Sequence, residues 1–212
     1  MSEPSKPATA KGQRAAATWK RAGREAFAER GFLNTKISDI AAGAGMSVAS
    51  FYNYFPTKED LLLALAADYH VEMVRRSESR LEHADLHADI RAVVGTFWDV
   101  YVDEQALMQG VFQMSMLDDA FRDRWVELRR PTIDAIADLL QRSGPSPNLD
   151  TRTTALALSS MLEHFCYLWA NEQIAEVRGR SAADMVVEIS DLWFRVIAPS
   201  TGAGTPSIGL PR

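Results

Sequence analysis

Apolar residues recur along this chain at spacings of three and four, the period of amphipathic helices, and no segment carries a convincing strand pattern. The spacing predicts helices at about 12–31, 36–44, 47–54, 58–82, 86–103, 104–116, 118–142, 150–177 and 181–197. Pro131 is expected to kink or split the seventh. Ser143 to Asn148, with Gly144, Pro145 and Pro147, reads as a loop. The expected fold class is all-α, about nine helices in two units. A small three-helix unit at 12–57 is joined, through the fourth helix, to a larger helical body at 58–198. Residues 1–11 read as a flexible arm and 199–212 as a disordered tail rich in Gly and Pro.

The densest local signal lies at 35–61. Ile37, Ile40, Ala41 and Ala44 share one helical face. Thr35 is placed to cap that helix, and Gly45 to end it in a left-handed conformation. Ser47 then caps the next helix, whose Phe51 and Phe55 lie four apart on an inner face with Met46. At about 100° per residue, Ala49 and Asn53 face outward with Ser50 beside them, and Tyr52 and Tyr54 fall on the flanks. Pro56 turns the chain into the fourth helix, and Lys58 opens it. This is a helix-turn-helix pattern: small and polar residues at the centre suit base edges, and the phenols and Lys58 suit phosphates on either side. The competing reading gives Tyr52 to the small core and leaves Asn53 and Lys58 as solvated surface.

Charge divides the chain in the same place. The net charge is −5, yet residues 1–60 hold nine Lys/Arg against six Asp/Glu, and every lysine lies at or before Lys58. A basic end on an acidic body fits a nucleic-acid reader with a separate sensor. The 47% hydrophobic content supports a sizeable core, and the lone Cys166 excludes an intrachain disulfide, consistent with a reducing cytoplasm. No stretch is apolar enough to span a bilayer, and the first eleven residues lack a signal-peptide core.

The run Ile40-Ala41, Ala44-Gly45-Met46-Ser47, Phe51-Tyr52, Tyr54-Phe55, Lys58-Glu59 and Leu61 resembles the signature of the TetR family of bacterial transcriptional regulators. Trp19, Ala22, Gly23, Ala26, Phe27, Gly31 and Phe32 resemble that family's first helix. The resemblance covers about residues 14–65. Three positions depart from the usual pattern: Lys36 where Thr or Ser is common, Val48 where a polar or basic residue is common, and Ala49 where Gly is common. The resemblance implies DNA contacts from Thr35, Lys36, Ser47, Val48, Ala49, Ser50, Tyr52, Asn53, Tyr54 and Lys58. It also implies a homodimer through the last two long helices, a near-palindromic double-stranded operator, a small hydrophobic or amphipathic effector, and a cytoplasmic, nucleoid-associated repressor. Activation, corepression, or a helical ligand-binding or scaffold protein without DNA function are the alternatives.

Aromatic and methionine residues crowd the body. Phe97, Trp98, Tyr101, Met108, Phe112, Met116, Phe121, Trp125, Met161, Phe165 and Trp169 either line an adaptable effector pocket or fill an ordinary core. Tyr101, Gln113 and Asn171 are candidate polar anchors. Ala155, Leu158, Leu162 and Cys166 form one apolar stripe, and Met185, Ile189, Leu192, Trp193 and Val196 another. Periodicity leaves open whether these pack within the protomer or against a second copy. Enzyme chemistry is not expected. Glu163, His164 and Cys166 diverge around a helix, and His70, His83 and His87 have no metal-ligand spacing. No cofactor, metal or catalytic motif is read.

Overall fold

The computed structural model describes residues 9–81, 85–142, 150–171 and 175–197. Among these, nine α-helices run α1 Ala10–Arg30, α2 Ile37–Ala44, α3 Val48–Phe51, α4 Lys58–Glu78, α5 Leu86–Asp103, α6 Gln105–Leu117, α7 Asp119–Arg142, α8 Thr151–Ala170 and α9 Ala182–Ile197. Residues 1–8 of the expected 1–11 arm, the loop at 143–148 and the tail at 199–212 lie outside the described residues.

Local chemistry explains where the helices differ from the periodicity. The first begins at Ala10 because the Thr9 hydroxyl accepts from Gly12 N at 3.1 Å, so residues 10 and 11 are helix rather than arm. The third is a single turn, not 47–54. Tyr54 N bonds back to Phe51 O at 2.9 Å and Asn53 N to Ser50 O at 3.2 Å, tightening the chain just ahead of Pro56. α7 runs unbroken through Pro131, which is exposed like Glu127, so the carbonyl left without a donor faces water. α8 stops at Ala170, well short of 177. Asn171 caps it, with the side-chain amide donating to Tyr167 O at 2.7 Å, and a 3-10 turn follows at Ala175–Val177.

One continuous hydrophobic core spans the molecule, and α4 is its axis. At its start Leu61 and Leu62 join Trp19, Phe27, Phe32 and Phe51; further on Tyr69 and Met73 join Phe97, Trp98 and Trp193. α4 packs against α1, α5, α6 and α7, while α6 also touches α1, so two helices bridge the small unit and the body. Helix α8 lies on α7, and α9 lies along α5. The apolar stripes expected on α8 and α9 are largely used inside the protomer: Ala155, Leu158, Leu162, Cys166, Met185, Ile189 and Trp193 are buried. Leu156, Met161, Val187, Leu192 and Val196 remain exposed on the other sides of these helices.

Two buried polar links cross the body. His70 Nδ1 on α4 meets Thr132 Oγ1 on α7 at 2.9 Å. The Arg129 guanidinium on α7 pairs with Glu163 on α8 at 2.8 Å and reaches the Ser159 hydroxyl at 3.4 Å. Burial holds the Glu163 carboxyl above its ordinary range, against the pull of Arg129. Burial, with the Arg129 charge adding to it, pushes the His70 pKa down from 6.5 to about 3.

The two shifts act on stability in opposite senses. The Glu163 contribution is present at low pH and is lost as pH rises above its ordinary value. Folding favours neutral His70, so its contribution is present above 6.5 and is lost as pH falls toward 3. Comparing His70→Asn with the wild type isolates the histidine. In denaturant titrations at fixed protein concentration, the wild type should lose about 1.4 kcal/mol relative to the variant for each pH unit between pH 6 and 4.5. A constant gap across that range would contradict a neutral buried His70.

Candidate nucleic-acid interface

The reading surface is held by a frame around α2 and α3. Gly45 ends α2 with φ 66° and ψ 29°, a left-handed conformation that glycine adopts at little cost. The chain turns there, and Ser47 Oγ accepts from Ser50 N at 3.2 Å to start α3. Phe51 is fully buried, edge-on to Trp19 at 5.4 Å, and Phe55 is buried 5.7 Å from Phe51. With that face fixed inward, Ser47, Val48, Ala49, Tyr52 and Asn53 are exposed, and Ser50 and Tyr54 are half-buried. Lys36 is exposed just before α2.

Two expected contact residues are structural instead. Thr35 does not cap α2 and does not face outward. It is 2% exposed, and its hydroxyl donates to Gly31 O at 2.8 Å, with Ala26 O at 3.1 Å as the other acceptor. The cap is supplied by Asp39, whose carboxylate accepts from Lys36 N at 2.9 Å. Lys58 does not extend as a free phosphate hook. Its ammonium donates to Phe32 O and Thr35 O, both at 2.8 Å, and sits 4.3 Å from the Phe32 ring centroid. Burial lowers its pKa. Lys58 therefore ties the start of α4 to the loop that delivers α2, and so positions the reading surface.

Other framing residues escape the sequence reading. Thr57 Oγ1 accepts from Asp60 N at 3.0 Å, a cap legible in the Thr-x-x-Asp spacing. Asp60 then pairs with Arg124 of α7 at 2.7 Å, Lys20 with Asp68 at 2.7 Å, and Arg24 with Glu104 at 2.8 Å. These partners lie far apart in sequence and leave no local trace.

In the body, the residues expected to line a pocket mostly fill the core. Phe97, Trp98, Tyr101, Met108, Phe121 and Trp125 are buried. Phe165 and Trp169 are half-buried against Trp98, at 6.2 and 5.0 Å, and Phe112 sits 5.5 Å from Tyr167. Met116 is 83% exposed because it sits in the last turn of α6, and Met161 is exposed on the outer side of α8. A small apolar cleft, of about 60 Å³, opens instead among α4, α5, α7, α8 and α9. Met73, Phe97, Ile136, Leu139, Leu162 and Trp193 line it, with Thr132 and Ser159 among them. Of the expected pocket residues only Phe97 reaches it. The proposed anchors do not: Gln113 and Tyr101 are elsewhere, and Asn171 caps α8. Glu163 and Cys166 are buried while His164 is exposed, so the three do not converge. No cluster of His, Cys, Asp or Glu suited to a metal occurs among the described residues. No helix among them is long and apolar enough to cross a membrane.

An exposed one-turn helix on a buried aromatic frame, carried by a helical body, defines a helix-turn-helix regulator. Residues 21–65 match the family described as bacterial regulatory proteins, tetR family. The chain is 25% identical over 185 residues to the HTH-type transcriptional regulator EthR of Mycolicibacterium smegmatis, covering 82% of each protein. It is 27% identical over 129 residues to the HTH-type transcriptional repressor AcnR of Corynebacterium diphtheriae, covering 57% of this chain and 60% of that one. In structure it resembles the transcriptional regulator FadR from Bacillus subtilis, solved in complex with stearoyl-CoA. That likeness has a TM-score of 0.70 at 20% identity, covering 85% of this chain and 98% of FadR, and it concerns the fold. Residues 21–65 thus carry the DNA-binding region of the TetR family of bacterial transcriptional regulators.

Lys36 and Lys58 should separate cleanly on substitution. Lys58→Ala removes two hydrogen bonds to backbone carbonyls and should cost about 1–3 kcal/mol in thermal or denaturant unfolding. Lys36→Ala should leave stability within about 0.5 kcal/mol and reduce the salt dependence of DNA binding by about one unit of slope. The reverse pattern would return the phosphate role to Lys58.

Proposed function

We propose that the chain works as a homodimeric repressor in the cytoplasm, bound to a near-palindromic operator on the nucleoid and released by a small hydrophobic or amphipathic effector. The observation that carries this reading is the placement of two features on one helix. The start of α4 belongs to the frame behind Val48, Ala49, Tyr52 and Asn53, and Met73 and Val74 further along it line the apolar cleft. Lys36 and Tyr52 grip phosphates at the borders, and the exposed face of α3 meets the bases. The role needs no catalytic group.

Dimerisation is assigned to the outer sides of α8 and α9, where Leu156, Met161, Val187, Leu192 and Val196 are exposed. Two copies then present their reading surfaces about 34–36 Å apart, one turn of the duplex or a multiple of it. The effector occupies the cleft. At about 60 Å³ the cleft is smaller than a drug-sized ligand requires, so binding must spread its walls. The stearoyl-CoA in the FadR structure supports a ligand role for a body of this shape. A ligand that prefers the spread body shifts the population away from the operator-competent spacing by its differential affinity.

The test is a gel shift of the full chain with the DNA upstream of its own gene, at stated salt, with a fragment from elsewhere as control. Specific retardation is expected; equal binding to both fragments would sink the proposal. Gly110→Ala probes the link between the units. A Cβ there would sit 2.8 Å from Phe32 Cβ, too close without movement of α6 against the small unit. It should cost about 1–3 kcal/mol in stability and change operator affinity with every reading residue intact. Unchanged affinity would disconnect this contact from the spacing of the heads.

A further inference from the structure

The exposed face of α3 is poor in hydrogen-bonding groups. Val48 is 39% exposed and Ala49 is exposed beside it. Ser47 Oγ is engaged by Ser50 N, and Ser50 is half-buried. The exposed polar side chains nearby, Lys36, Tyr52 and Asn53, all lie outside the Val48–Phe51 turn itself. Most major-groove base edges punish such a surface. Guanine O6 and N7, adenine N6 and cytosine N4 would lose water under Val48 and gain no partner. One base edge offers an apolar group there, the C5-methyl of thymine.

Resting on the DNA-binding reading above, we propose that Val48 and Ala49 read thymine C5-methyl groups. Each operator half-site then carries a T·A pair under α3, and apolar contact with its methyl supplies the discrimination at that step. The departure from a polar or basic residue at position 48 is thereby a specificity determinant of this chain. Asn53, Tyr52 and Lys36 fix the register around it.

The test begins with selection of duplexes from a random pool by the full-length protein. Each thymine of the enriched half-site is then replaced in turn by uracil, which removes the methyl and leaves base pairing unchanged. At one or two positions, uracil should weaken binding about three- to fivefold per half-site, the worth of one buried methyl group. Placing 5-methylcytosine instead of cytosine opposite guanine at that position should recover part of the affinity. Val48→Ala, at an exposed position that leaves thermal unfolding unchanged, should cut the uracil effect there to under about twofold and keep the effects of other substitutions. Binding indifferent to uracil at every position would overturn the inference and leave the regulator reading standing. So would a Val48→Ala protein with undiminished uracil sensitivity at each thymine. A pool that enriches no sequence would instead overturn the regulator reading, and this inference with it.

Discussion

Helix α4 must be buried in two places at once, and the rest of the structure follows from that demand. Leu61 and Leu62 are fully buried among Trp19, Phe27, Phe32 and Phe51, and within three turns Tyr69 and Met73 are buried among the body helices. Two buried stretches on one rigid rod fix the small unit to the body in angle as well as position. Exposing either end would give up several large apolar side chains, each worth about 1.5–3 kcal/mol. A one-turn α3 can exist only inside such a frame, since an isolated helix of that length has no stability of its own.

The polar contacts at this junction do a different job. Lys20–Asp68, Arg24–Glu104 and Arg124–Asp60 join α1 and α4 to their neighbours, but most of these side chains are partly exposed. Pairs of this kind contribute under about 1 kcal/mol each and are screened by salt. They select one orientation of the head without making it costly to leave. The close approach of Gly110 to Phe32 is steric and does not fade with salt. The junction therefore combines a hard apolar pivot with a soft ionic rim.

The legible part of the fold was the part governed by local rules. Helix periods, the left-handed Gly45, the Ser47 cap and the inward Phe51 and Phe55 follow from residues within four positions of one another. Thr35 misled because a hydroxyl before a helix is an N-cap by local rules, while its actual acceptors, Ala26 O and Gly31 O, belong to the preceding helix and its end. Lys58 misled for a similar reason: its carbonyl partners lie 23 and 26 residues away. The pocket was the least legible. A +4 repeat of Met and aromatic residues marks a buried face whether that face is filled or hollow, and Met116 kept the period only to leave the core at the end of α6. Hollow space arises where several helices fail to meet, a property of their arrangement that no single helix encodes.

That arrangement also gives the cleft a direct mechanical route to α4. Thr132 lines the cleft and is hydrogen-bonded to His70, which is carried by α4 itself. Ser159 lines it too and is tied through Arg129 to Glu163, so α7 and α8 move as a pair joined by a buried charge. Pulling Arg129 away would leave buried polar groups on Ser159 and Glu163 without their partner, which keeps the pair intact through any motion the body makes. A ligand that spreads the cleft therefore has two options: stretch the His70–Thr132 bond or carry α4 with α7. The bond costs about 1–3 kcal/mol to leave unmade in the interior, comparable with the coupling energies by which ligands shift such equilibria. Moving α4 keeps the bond, and α4 ends in Leu61, Leu62 and Lys58, behind the surface that meets the duplex.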